Sequence, residues 1–158
     1  MRYKIIVSII FLMFLYSVNC KSQETINKIF KSSKDRIIEI ENLGYEVIHM
    51  DLDLLSENEK EETRIFLNTG HKYVIAACGD QDRIQTVQIE LYEEDGRTPI
   101  QKGRDGIIPS GSSVINFIPK KDNSYIVTIM ANEFSSSTIS NGRYYLIVAS
   151  KVNTAGIK

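Results

Sequence analysis

Apolar residues recur along this chain with two different periods, and the change between them falls at Gly44. Before it, Ile26, Ile29, Phe30, Ile37, Ile40 and Leu43 return mostly every three or four positions. Lys28, Lys31, Lys34, Asp35, Arg36, Glu39 and Glu41 take the remaining faces. This spacing predicts an amphipathic helix with one apolar stripe, in a segment spanning 21–44, and Gly44 is placed to end it. The stripe is expected to pack on its own domain. The competing use is as an assembly or membrane-surface element.

After Gly44 the period becomes two. Ile48, Met50, Leu52 and Leu54 alternate with His49, Asp51 and Asp53, which predicts a half-buried strand with its polar face outward. Ser56 to Glu62 reads as a charged turn, and Ile65 and Leu67 as a second strand ending at Asn68-Thr69-Gly70. Tyr73 to Cys78 is apolar on both faces, as a central strand should be. Val87, Ile89 and Leu91 alternate with polar residues, and Glu94-Asp95-Gly96 supplies turn chemistry. Residues 97–112 hold Pro99, Gly103, Gly106, Pro109 and Gly111 and read as an irregular connection. Ile115 and Phe117, then Tyr125, Val127 and Ile129, then Tyr144 to Ser150 mark the remaining strands. Short strands divided by turn signals, with no alternating helices, predict a mainly β chain. The expectation is an antiparallel, jelly-roll-like β-sandwich of about seven or eight strands over 45–153, with the amphipathic helix N-terminal to it.

The first 20 residues follow neither pattern. Arg2 and Lys4 give a positive start, Ile5 to Tyr16 is almost unbroken apolar sequence, and Ser17-Val18-Asn19-Cys20 is more polar. This layout predicts a signal peptide over 1–20, with an apolar run too short for a bilayer core of about 30 Å. Cys20 sits where a lipoprotein would carry its lipidated cysteine, although Ser17 and Asn19 depart from the usual residues before it. Ordinary cleavage just after Cys20 is the other reading, and an acyl chain there would anchor the protein without spanning the membrane. An exported protein is expected, either periplasmic, anchored to the outer membrane, or secreted.

Charge narrows the partners. The formal net charge of 158 residues is -1, and two of the cations, Arg2 and Lys4, lie in the leader, so the remainder is mildly acidic. That balance offers no electrostatic footprint for nucleic acid. It also lacks a polybasic patch for an anionic membrane, leaving Cys20 as the one expected membrane link. Cys78, the only other cysteine, lies in the apolar run Tyr73 to Cys78 and reads as an inert core thiol.

From Glu61 to Val152 the order of the pieces resembles the bacterial pre-peptidase C-terminal domain. The matching pieces are Phe66-Leu-Asn-Thr-Gly-His-Lys-Tyr73, Ile89-Glu-Leu-Tyr-Glu-Glu-Asp-Gly96 and Val114-Ile-Asn-Phe-Ile-Pro119. Asn123-Ser-Tyr-Ile-Val-Thr-Ile129 and Gly142-Arg-Tyr-Tyr-Leu-Ile-Val148 complete the set. The resemblance implies a calcium-assisted β-sandwich of secreted bacterial proteins, non-catalytic, that accompanies an enzyme or assists folding or surface binding. The acidic pattern that members often show before the "Leu-Tyr" strand stands here as Thr86-Val-Gln88.

Four sets of side chains are candidates for chemistry. Asp80 and Asp82, with Glu93, Glu94 or Asp95 from a neighbouring loop, could contribute to a calcium site, which needs six to eight oxygens. Asp51, Asp53, Glu57, Glu59, Glu61 and Glu62 form an acidic run that reads as a solvated surface, or as paired carboxylates of a hydrolase. Gly103-Arg-Asp-Gly106 and Pro109-Ser-Gly-Ser-Ser113 are glycine-rich but lack the lysine and the strand-to-helix setting of a phosphate loop. Of the tyrosines, Tyr92, Tyr144 and Tyr145 are expected to be free to reach a surface. No nucleophile with an adjacent base is visible, so no enzyme is expected. The leading expectation is a binding or accessory module for a glycan, peptide or protein ligand. The others are a structural envelope protein assembling through its helix, and a hydrolase using Asp51, Asp53, Asp80 and Asp82.

Overall fold

The computed structural model describes residues 26–105 and 111–154; the leader 1–20, and with it Cys20, lies outside the described residues. Residues 26–42 are helical (α1). Gly44, at φ 78, ends the helix. Its N–H bonds to the Glu41 carbonyl at 2.8 Å and the Tyr45 N–H to the Ile40 carbonyl at 3.3 Å, the paired reverse bonds of a glycine C-cap.

The strands are β1 (Glu46–Ser56), β2 (Lys60–Leu67), β3 (His71–Gly79), β4 (Ile84–Glu93), β5 (Pro99–Lys102), β6 (Arg104–Asp105), β7 (Ser113–Phe117), β8 (Asn123–Phe134) and β9 (Asn141–Val152). All their pairings are antiparallel. One sheet has the order β1-β9-β3-β7-β6 and the other β2-β8-β4-β5, so the mainly β sandwich expected from the alternation is the fold. Tyr73, Ile75 and Ala77 of β3, Val87, Ile89 and Leu91 of β4, and Leu146 and Val148 of β9 fill the space between the sheets. The residues alternating with them on the first sheet, Val74, Cys78, Tyr145, Ile147 and Ala149, form a second cluster with Ile29 and Ile40 of α1. That arrangement explains why β3 is apolar on both faces: one faces the other sheet and one lies under the helix. Ile29, Ile37 and Ile40 of the α1 stripe therefore pack on their own fold, while Phe30 and Leu43 of the stripe, and Ile38 beside it, stay exposed.

Two expectations need correction. Residues 97–112 are not simply irregular. β5 pairs with β4, the Gly103 N–H bonds to the Ile89 carbonyl at 2.8 Å, and β6 then joins the other sheet beside β7. Pro99 is tolerated because β5 is an edge strand, where a missing N–H costs no ladder bond. The faces of β1 are also reversed from expectation. Its ladder with β9 skips Ile48 between Val47 and His49, a bulge that resets the alternation. His49, Asp51 and Asp53 then share the side of Val148, Leu146 and Tyr144, which looks toward the second sheet. Ile48, Met50 and Leu54 are exposed, and only Leu52 of the four packs beneath the helix.

Candidate functional site

β1 and β2 are edge strands of different sheets joined by a short turn, and they border the same open side of the sandwich. Thr63 of β2 donates to Asp51 of β1 across that gap at 3.4 Å, and His49 shares a 2.7 Å hydrogen bond with Asp51. Asp53 faces Tyr144 in the ladder, and Glu61 pairs with Ile129, on the inward face of β8. The carboxylates expected on a solvated outer face thus converge from two strands on the mouth of the core. Tyr144 is only 3% exposed at the floor of this mouth, and its hydroxyl has no hydrogen bond to the described residues. Burial, with the charges of Glu61, Asp53 and Asp51, pushes the Tyr144 phenol up to about 12.

Asp80 and Asp82 lie in the turn between β3 and β4, beside α1. Asp80 is 5% exposed; its Oδ1 accepts the Asp82 N–H at 3.2 Å, while Oδ2 is buried with no hydrogen-bond partner. Burial raises the Asp80 carboxyl above the ordinary aspartate range. Asp82 is held by Lys28 of the helix at 2.8 Å. A cavity of about 140 Å³ lies between them, bordered by Ile29, Ser32 and Gln81. Glu93, Glu94 and Asp95 do not join this turn. They lie at and just beyond the far end of β4, whose ten residues span about 30 Å at 3.3 Å each. Among the described residues no three acidic, histidine or cysteine side chains come together as a metal set.

Nor do Asp51, Asp53, Asp80 and Asp82 form one site. Gly79 and Asp53 both pair with Tyr144 on the side of the sheet toward the core, so Asp80 projects to the opposite, helix-covered side. Cys78 is 2% exposed, donates weakly to the Gly79 carbonyl at 3.4 Å, and has its thiol pushed up by burial. His71 lies at the opposite end of the sandwich, its ring 6.1 Å from that of Tyr73. Gly103 and Ser113 of the proposed glycine-rich loop both serve the Ile89 backbone. Tyr144 and Tyr145 are buried rather than free, Tyr144 on the side of β9 toward the second sheet and Tyr145 under the helix, whereas half-buried Tyr92 donates to Glu90 at 2.5 Å.

One larger cleft was not foreseen from the sequence. It has a volume of about 550 Å³, between the β1–β2 turn (Glu57, Glu59, Lys60) and the end of β8 with its following loop (Asn132, Glu133, Ser136). Asn58 turns the chain there with φ 63. The Ser/Thr-rich composition of 134–140 was the one available signal, and it marks a loop without saying what the loop encloses.

No family model matches the chain, and no curated protein does. Among solved structures it is similar to the pre-peptidase C-terminal domain of a collagenase from Bacillus anthracis, at 13% identity and a TM-score of 0.49, over 63% of this chain and 87% of that one. It is also similar to PliG of Aeromonas hydrophila, a periplasmic inhibitor of g-type lysozyme, at 7% identity and a TM-score of 0.47, over 69% of this chain and 90% of that one. The first belongs to the domain family that the sequence pieces resemble.

Proposed function

We propose that this chain is an exported, non-catalytic β-sandwich module that binds a glycan, peptide or protein of the cell envelope or exterior. The observation that carries this reading is the cleft of about 550 Å³ between the β1–β2 turn and the loop after β8. Its size suits a ligand segment, and its wall combines amide, hydroxyl and carboxylate groups with the apolar Met130, Phe134 and Ile139. The side chains best suited to chemistry stand away from it: Cys78 is buried under the helix and His49 is bonded to Asp51. A panel of envelope glycans and peptides, screened by amide chemical shifts, tests the reading. A ligand that shifts residues 57–60 and 130–139 without being turned over is expected. Turnover, or binding confined to another surface, would replace it.

Export and anchoring are part of the same proposal, with Cys20 as the lipidation point or the last residue of a cleaved leader. Intact mass of the protein from its native membrane fraction decides between a diacylglyceryl addition on Cys20 and a chain starting at Lys21. Calcium at Asp80 and Asp82 is supported by the orphaned Asp80 Oδ2 and opposed by Lys28, whose ammonium already occupies Asp82. Two carboxylates fall well short of a calcium shell. Millimolar calcium is therefore expected to leave the melting temperature unchanged.

A further inference from the structure

We propose that the open side between β1 and β2 seats a lysine or arginine side chain presented by a basic segment of a protein partner. The inference rests on the binding-module reading but uses a different surface from the cleft. Asp51 and Asp53 approach from one sheet and Glu61 from the other, with Thr63 bridging the gap to Asp51. The cations of the same strands face elsewhere. Lys60 shares the outer face of its sheet with Met130, and Arg143 lies opposite Leu54 on the helix side. His49 serves Asp51 alone. Asp53 accepts the Leu54 N–H at 2.8 Å, and neither Asp53 nor Glu61 has an ion-pair partner among the described residues.

Inward charges on edge strands also discourage unwanted strand pairing, a role that concerns the strand edges alone. It does not account for Tyr144. Its ring is buried, it stands opposite Asp53 in the ladder, and its hydroxyl makes no hydrogen bond to the described residues. A group of carboxylates around an unused hydroxyl is a set of acceptors with a fixed floor. An ammonium or guanidinium would satisfy several at once through charge-assisted hydrogen bonds.

Titrating the full-length chain with a tetralysine and a tetra-arginine peptide, followed by chemical shifts, tests this. The expected result is saturable one-to-one binding with shifts at Asp53, Glu61 and Tyr144. The double variant Asp53→Asn with Glu61→Gln should weaken it about tenfold or more, in line with losing two charge-assisted contacts. Glu41→Gln with Glu46→Gln removes the same charge at exposed positions away from the groove and should change affinity by less than about twofold. Tyr144→Phe should weaken binding without moving the site. Equal weakening by both double variants, shifts centred on another surface, or no saturation would overturn the proposal. The shifts in the unsubstituted chain serve as an independent readout should a variant fold poorly. They are separate from the cleft residues whose shifts test the proposed function.

Discussion

Ser32 of the helix and Tyr145 of β9 share a hydrogen bond of 3.3 Å beneath α1, which ties the helix to the sheet. Ile29 and Ile40 bury themselves beside it on Val74, Cys78 and Ile147. The helix is thereby part of the folded unit. Ile40→Ala should cost about 2–4 kcal/mol, read by urea unfolding, as large-to-small changes in a packed site do. Tyr145→Phe should cost about 1 kcal/mol, the net worth of one hydrogen bond. A loss below a few tenths for Ile40→Ala would mean that the helix rests loosely on the sheet.

Cys78 lies in that same interface, 2% exposed and with its thiol raised by burial. Little thiolate is present at pH 8, and a reagent has no path to it. Labelling by a water-soluble thiol reagent should therefore be very slow in the native chain and complete in denaturant. Ile40→Ala should speed it by opening the cover. Rapid native labelling would contradict the placement.

Asp80 gives a pH dependence with a definite sign. Its folded carboxyl is raised, chiefly by burial, so the fold favours the protonated form. The favourable linkage is fully present below the ordinary aspartate value of about 3.9 and is lost as pH rises through the higher folded value. At neutral pH the buried, unpartnered Oδ2 is a cost. Asp80→Asn keeps an oxygen for the Asp82 N–H and should raise stability at pH 7 by on the order of 1 kcal/mol. The gain should shrink toward pH 4, as thermal melts across the range will show.

Gly111 has φ 79, and a Cβ there would meet the Gln85 carbonyl oxygen directly. The Gly111 carbonyl also receives the Val87 N–H at 2.9 Å. Gly111→Ala should thus lose about 2 kcal/mol or more, since strain and a backbone clash act together. Gly70→Ala is the control. Its φ of 78 is similar, but no atom stands within 4 Å of the added carbon, so its loss should be smaller.

Several elements were legible because their signals are local. Gly44 announces the end of α1 since only glycine readily takes the positive φ of that cap. β3 announces a central position because both of its faces are apolar. β5 was hidden by Pro99 and Gly103, residues that read as breakers and are harmless at a sheet edge. The cleft was hidden as well, because its walls come from residues 57–60 and 130–139, far apart in the chain.

The sequence by itself determined which residues of β1 stand together: the carboxylates Asp51 and Asp53 on one side, Met50 and Leu54 on the other. Period two demands that much of any strand. Only the tertiary structure decided which side looks inward. β1 is an edge strand whose orientation is set by its pairing with β9, after a bulge at Ile48, and not by its own hydrophobicity. At an edge, neither face is fully covered, so the usual penalty for turning charges inward is reduced by water at the open side. Asp53 could therefore come to stand over Tyr144.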